Sequence, residues 1–336
     1  MGGGTCRRDL SSEVMEYRDF GKTGLQVSLC GLGSGGASRL GLAYGSTEEQ
    51  AIAVIHRALE LGINYFDTAE NYANEAVVGR GLAGHRDEVV LSTKVGPRTA
   101  DDVLLTAKEL RAAVELALEK LGTDRVDVFH LHRLRASDFD YFTAELAPEL
   151  ECLRDAGKLR FTGVSESTGD DPEHLMLQRA VAEDLFDVVM VGFTFFNQSA
   201  RDKVFPAAIA HGTAVEIMAS ARTQFSQAEL LAKEITERIA SGEVDADGID
   251  LAAPLDFLIG PGRATSVAEA SYRFAAHEPG VHTVLVGTGK IDHLEENVVS
   301  LNAGPLPGDV TEVLVEAFGH LASAVFVPGR PVAKWA

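Results

Sequence analysis

Short β-rich runs alternate with amphipathic helical patterns along most of this chain, and that alternation limits the fold more than any other feature. Eight runs stand out: Leu29–Gly33, Asn64–Asp67, Val89–Lys94, Val126–His132, Phe161–Ser165, Phe186–Met190, Ala214–Met218 and Thr283–Val286. Helix signals lie between them. Ser46-Thr47-Glu48-Glu49 reads as a capping box, with Ser46 capping and Glu49 reaching back. Ile52, Ile55 and Leu59 then mark one helix face, and Gly62 stops it. Leu110, Val114, Leu118 and Leu121 repeat the arrangement before Gly122. Parallel strands need crossover helices, so this pattern predicts a parallel sheet covered on its outer face. Eight units in one unbroken chain predict an α/β fold of the (β/α)8 TIM barrel type.

Two segments fall outside the alternation. Glu16–Phe20, a turn through Gly21–Gly24, and Leu25–Ser28 read as a β-hairpin plugging the N-terminal end of the barrel. Gln227–Arg263, after strand seven, is too long for a simple loop and reads as an inserted helix with a Pro/Gly-containing segment. The 336 residues therefore divide into a flexible leader, 1–15, and a single barrel domain, 16–336. Met15 is a candidate alternative start.

Composition narrows the partners. With 46% hydrophobic and 24% charged residues the chain is an ordinary globular one. Its 30 Lys+Arg against 50 Asp+Glu give a net charge of −20, which argues against nucleic acid or an anionic membrane as the main partner. The longest greasy stretch, near Phe186–Phe196, falls short of the ~20 residues of a membrane helix. Cys6, Cys30 and Cys152 have neither metal nor disulfide-framework spacing, which fits a reducing, cytoplasmic setting. The start of the chain lacks an apolar signal region and nearly matches a myristoylation motif, with Cys6 at its Ser/Thr position. A small-molecule substrate is the expected partner, bound by a monomer or homo-oligomer.

Gly31-Leu32-Gly33-Ser34-Gly35-Gly36 matches the dinucleotide fingerprint G-x-G-x-x-G. That fingerprint works only if a helix opens inside it. Here Gly41 and Gly45 follow, and helix chemistry begins only at Ser46. The segment reads instead as a loop at the barrel mouth, where the bare backbone at Gly33 lets a ligand approach closely.

The chemistry lies at strand ends. Asp67 ends strand two, with Tyr72 in the loop after it; Lys94 ends strand three and His132 ends strand four. Barrel enzymes place catalytic groups on this rim. Lys94 follows an apolar strand, so its ammonium needs a carboxylate such as Asp67 beside it. A tyrosine next to that ammonium is expected to have a lowered pKa and to serve as a proton donor.

These segments resemble the aldo-keto reductase family. The resemblance rests on Asp67-Thr68-Ala69-Glu70-Asn71-Tyr72, Thr93-Lys94, the Asp127–His132 run, the opening hairpin and Gly163-Val164-Ser165. It extends through Gly287-Thr288-Gly289-Lys290 and His293-Leu294 to Glu296-Asn297. It implies a barrel that binds NADP(H), with NAD(H) second, and passes a hydride to an aldehyde or ketone. Carried to matching positions, Tyr72 is the general acid, Lys94 lowers its pKa, Asp67 pairs with Lys94, and His132 orients the carbonyl. Ser165 holds the nicotinamide carboxamide and Phe193 stacks on the ring, where the family commonly has tyrosine. Gly287, Thr288, Lys290, His293 and Asn297 hold the adenosine end, with Glu296 beside them. Three further positions depart: Glu166 replaces an Asn, Met190 replaces a Gln of the carboxamide grip, and His293 stands where an Arg commonly meets the 2′-phosphate. Arg39, Arg133, Arg135 and Arg222 suggest a basic mouth suited to an anionic or sugar-like carbonyl compound.

Two other readings use the same residues. His130 and His132 share one strand face, as in metal-dependent hydrolases, but such a site needs further ligands on later strands. Strands five and six contain no His, and His130 otherwise reads as a polar filler inside the barrel. An NADPH-binding redox-sensing or scaffold protein with little turnover would keep the cofactor segments. It would have no use for the set Asp67, Tyr72, Lys94 and His132.

Overall fold

The computed structural model describes residues 15–167, 170–221, 225, 228–245 and 249–321. Among the described residues ten strands are formed: β1 (Tyr17–Asp19), β2 (Gln26–Ser28), β3 (Cys30–Gly33), β4 (Tyr65–Asp67), β5 (Val90–Val95), β6 (Val126–Leu131), β7 (Leu159–Ser165), β8 (Val188–Gly192), β9 (Ala214–Met218) and β10 (Thr283–Val286). β3 to β9 pair in chain order, all parallel, and β10 closes the barrel between β9 and β3. All eight expected barrel strands are present, with ends moved by two residues at most. Every residue of β5, β6 and β8 is buried, as a parallel sheet lined by side chains inside and helices outside requires.

The hairpin β1–β2 closes the N-terminal end. Phe20 and Val27 pack against Tyr65, Val90, Val128, Val188 and Ala214, the lowest inward residues of five strands. The Phe20 ring meets Tyr65 edge-on at 5.4 Å. Its turn docks on the barrel through a hydrogen bond from the Lys22 amide to the Gly212 carbonyl, 2.6 Å. Gly21 makes this approach possible: its φ is +54°, and a Cβ there would lie 2.5 Å from that carbonyl oxygen. Met15 belongs with this body, buried in the core.

Helices cover the outside. The helix Ala107–Leu121 buries Leu110, Val114, Leu118 and Leu121 and ends at Gly122 in the left-handed region. In the helix Glu48–Glu60, Ile55 is buried, while Ile52 and Leu59 are half-buried at its edge. Its capping box sits one residue later than the sequence suggests. Thr47 Oγ1 accepts from the Gln50 amide and the Gln50 side chain accepts from the Thr47 amide. Ser46 is used elsewhere: its amide donates to the Gly41 carbonyl, closing the glycine loop.

That loop runs through turns from Gly33 to Gly45, and the first α-helix opens at Glu48, so no helix lies inside the G-x-G-x-x-G segment. Between β9 and β10 lie the inserted helix Ala228–Ser241, a short turn at Asp256–Leu258, and the helix Val267–Ala276. Leu231, Ile235 and Leu258 tie the insertion to the core. Arg222 and Gln227 lie outside the described residues, as do residues 1–14 of the expected leader. No helix among the described residues is long and apolar enough to cross a membrane.

Candidate active site

Strand alternation turns Val90, Ser92 and Lys94 of β5 into the barrel, one above the other. Lys94 therefore reaches the rim from inside and has no exposed surface. Its ammonium donates to both oxygens of Asp67, at 2.5 Å each, and to the Thr68 carbonyl at 2.8 Å. Ser92 Oγ donates to Asp67 Oδ1 at 2.9 Å. The pair is buried, with the ammonium held by Asp67 and Thr68.

A single turn, Glu70–Tyr72, carries Tyr72 back over this pair. Lys94 Nζ lies 5.3 Å from the Tyr72 ring centroid. On its other side Tyr72 meets the His132 ring edge-on, 5.8 Å between centroids. The four side chains expected to converge do so at one spot on the rim. Two residues not singled out from the sequence hold this spot in place. Asn74 is buried and donates to the Ser34 carbonyl at 2.7 Å, while Thr68 and Ser34 hydroxyls contact its Oδ1 at 3.1 Å. Gly35 faces Tyr72 so closely that a Cβ would lie 2.4 Å from the ring. The glycine loop is thus shaped partly by the tyrosine.

Charge and burial set the protonation states. For Lys94, burial is the largest influence and disfavours the ammonium, but Asp67, with Tyr72 and Glu216 adding to it, raises the pKa. For His132, burial, with Lys94, Arg133 and His130 adding to it, lowers the pKa to about 3. His132 is a neutral imidazole at any physiological pH. Tyr72 differs from expectation. Lys94 is the strongest influence and lowers its pKa, but burial and the carboxylates of Asp67 and Glu216 together raise it above 10. The phenol is fully protonated near neutrality.

The His132 shift has a consequence for stability. The unfolded imidazole takes up a proton near pH ~6.5, and the folded one only near 3. Between those values the unfolded state binds more protons, so stability falls as pH falls through that window. His132→Gln should lose this component. Denaturant unfolding at about pH 7 and about pH 4.5 should show a smaller acid destabilisation in the variant than in the parent.

The remaining predicted residues fall into three groups. Gly33 ends β3, and a Cβ at Gly287 would lie 3.8 Å from its carbonyl oxygen. Thr288 is buried, and its Oγ1 accepts from the Lys290 amide at 3.1 Å. Lys290 precedes the helix Ile291–Asn302, whose N-terminus has no side-chain cap. Lys290, His293 and Glu296 are exposed there, and Asn297 is half-buried. This side of the rim is one continuous cradle, because Gly289 packs directly on the backbone of Gly41.

Ser165, Glu166 and Met190 form the second group, all buried at the ends of β7 and β8. Ser165 Oγ accepts from the Arg133 amide at 2.9 Å. Both carboxylate oxygens of Glu166 are engaged within the protein: Oε1 accepts from the Gly192 amide at 2.7 Å, and Oε2 lies 2.6 Å from His174 Nδ1. His174 Nε2 in turn lies 2.9 Å from Ser199 Oγ. Burial raises the Glu166 pKa, and His174 opposes it.

Phe193 stands apart from the site. Its fully buried ring stacks on Phe274 at 5.7 Å and meets Phe205 edge-on, outside the barrel. The side chain that the strand period brings to the mouth on that side is Met218, which follows Ala214 and Glu216 inward on β9 and is half-buried. The arginines of the mouth are largely paired. Arg133 bonds Ser167 at 3.0 Å and Arg135 lies 3.0 Å from Asp102, while Arg39 is exposed. His130 and His132 point to different places: His130 turns into the barrel, 2.8 Å from Glu216, and His132 faces Tyr72.

Comparison with known proteins bears on the family and the fold. The chain is 35% identical to an L-galactose dehydrogenase of Arabidopsis thaliana over 158 residues, 45% of this chain and 48% of that enzyme. It is 30% identical to a D-threo-aldose 1-dehydrogenase of a Pseudomonas species over 56% of this chain and 65% of that one. The chain thus matches between about half and two thirds of the length of these relatives. An aldo-keto reductase from Klebsiella pneumoniae in complex with NADPH shares the fold, with TM-score 0.64 and 23% identity over 90% of this chain and 94% of that one. Residues 31–317 match the Aldo/keto reductase family. With most of its length inside that match, and its eight-stranded barrel closed in the same fold, the chain belongs to the aldo/keto reductase family.

Proposed function

We propose that this chain is an NADPH-dependent oxidoreductase that reduces an aldehyde or ketone, with Tyr72 as the proton donor. The observation that carries this reading is the placement of a protonated phenol between a buried Lys94–Asp67 pair and a neutral imidazole.

The residues fit the cofactor. An uncapped helix N-terminus with Lys290 on it offers free amides and a cation to a phosphate group. The loop after β10 lies against the glycine loop, with Gly289 on the backbone of Gly41. When bound, the nicotinamide supplies the hydride. Ser165 is the remaining polar side chain for its carboxamide, since Glu166 is occupied by Gly192 and His174. Met218, at the mouth end of β9, covers the ring in place of Phe193. His132 donates a hydrogen bond to the substrate carbonyl as a neutral group, which orients the oxygen without competing for the proton. Tyr72 gives its proton to that oxygen as negative charge develops on it. Lys94 is the largest influence favouring the phenolate left behind, so it helps when the proton leaves. General-acid help of this kind is worth roughly 10²–10⁴-fold in rate. Lys290 supports NADP(H) ahead of NAD(H), although His293 stands where an Arg commonly meets the 2′-phosphate. The two sugar dehydrogenases among the relatives support a sugar-like carbonyl substrate.

Titration with NADPH and NADH, followed by cofactor oxidation against aldoses, carboxylated aldehydes and neutral aldehydes, tests the reading. Tight NADPH binding with turnover of at least one carbonyl class is the expected result. Binding with no turnover on any class would favour a sensor or scaffold role.

A further inference from the structure

A second ionisable pair lies inside the barrel, beneath the site. Inward side chains of such barrels stack in layers usually filled by branched aliphatic residues. The lowest layer here is of that kind, with Val90, Val128, Val188 and Ala214 around Tyr65 and Phe20. The next layer is not. Strand alternation places Ser92, His130, Met190 and Glu216 in it, one step above those residues. His130 and Glu216 have no exposed surface, and His130 Nε2 lies 2.8 Å from Glu216 Oε1. Gly163 makes room for the imidazole, since a Cβ there would lie 2.3 Å from His130 Nδ1.

The contact is close but badly aligned. Both nitrogens of His130, both carboxylate oxygens of Glu216 and the Tyr65 hydroxyl lack a well-formed hydrogen bond among the described residues. Burying such a pair is less stabilising than burying aliphatic side chains of equal volume. Packing therefore does not account for it.

Its neighbours suggest what does. His130 is the register partner of Lys94 on the adjoining strand, so the imidazole end of the pair adjoins the strand that carries Lys94. The titratable groups around Glu216 are Tyr65 and Asp67 from β4, Lys94 from β5 and His130 from β6. At this level β7 and β8 offer Gly163 and Met190, and β3 and β10 offer Gly31 and Leu285; none of these titrates. One ammonium thus faces two carboxylates in a buried interior, where charge acts at a distance with little screening. Lys94 has the strongest hold on Tyr72, and Glu216 acts on Tyr72 in the opposite sense.

We propose that Glu216, steered by His130, is a positioning residue that sets the electrostatic field at Tyr72 from beneath, through the charge it presents to the Lys94–Asp67 pair. The inference rests on Tyr72 as proton donor. Loss of the Glu216 charge makes the phenolate easier to form, so the donor is emptied at lower pH. Retention of the charge on a shorter side chain does not.

The test is the pH profile of kcat/KM for NADPH-dependent carbonyl reduction in the parent, Glu216→Gln and Glu216→Asp, with Tyr72→Phe as reference. Glu216→Gln should bring the alkaline fall in rate to lower pH by roughly one unit. Glu216→Asp should hold it nearer the parent. If Glu216→Gln does not fold, Glu216→Leu serves in its place with the same expected sign. A role in packing alone would change the melting temperature of these variants and leave the alkaline fall unmoved, and that result overturns the proposal. Turnover that survives Tyr72→Phe overturns the proton-donor reading and this inference with it. Turnover lost in Tyr72→Phe, with the alkaline fall unmoved in Glu216→Gln, overturns this inference alone.

Discussion

Lys94→Met should lose about 3–5 kcal/mol of folding stability, the usual cost of stripping the partner from a buried charge. Asp67 is 3% exposed, and the ammonium provides two of its three side-chain hydrogen bonds, so removing Lys94 leaves a carboxylate with only the Ser92 hydroxyl. Methionine fills nearly the same volume, so cavity formation adds little. The double variant Lys94→Met/Asp67→Asn should recover much of the lost stability, because it removes both charges together. It should not recover turnover. Urea unfolding of the parent, the single and the double variant would separate the two effects. Equal stability in all three would mean that the pair is not the buried unit described above.

Tyr72→Phe should lower kcat by roughly 10²–10⁴-fold. The phenyl ring keeps the edge contact with His132 and the close packing on Gly35, so the backbone of the site should not move. NADPH affinity should therefore stay within a few-fold of the parent, because the cradle around Thr288 and Lys290 is on another part of the rim. A fall in turnover with affinity retained assigns the loss to proton transfer. A parallel fall in both would point to a disturbed site.

Much of this architecture is legible in the chain itself. Strands buried on both faces read as apolar runs, and β9 and β10 run from Ala214 to Met218 and from Thr283 to Val286, as their composition suggests. Lys94 is conspicuous because a cation at the end of an apolar strand needs a partner, and the Asp67 motif supplies one. What escapes the sequence depends on orientation or on long-range sums. The helix cap falls on Thr47, while the Ser46 amide closes the glycine loop on Gly41, a contact that local spacing cannot show. Phe193 has the right chemistry for a ring stack but the wrong face, one step out of phase with Met190. Glu166 looks available in sequence, yet His174 reaches it from a left-handed residue eight positions on. The direction of the Tyr72 pKa turns on a contest of one cation against burial and two carboxylates, and the second of these, Glu216, arrives from a distant strand.

In the function proposed above, Tyr72 protonates a carbonyl that receives its hydride directly from a bound cofactor. NADPH carrying deuterium at the transferred position, incubated with a carbonyl substrate and the parent enzyme, tests it most directly. Product labelled at the former carbonyl carbon is expected, with label transfer lost in Tyr72→Phe while the variant still binds NADPH. Unlabelled product, or label transfer undiminished in Tyr72→Phe, would contradict it.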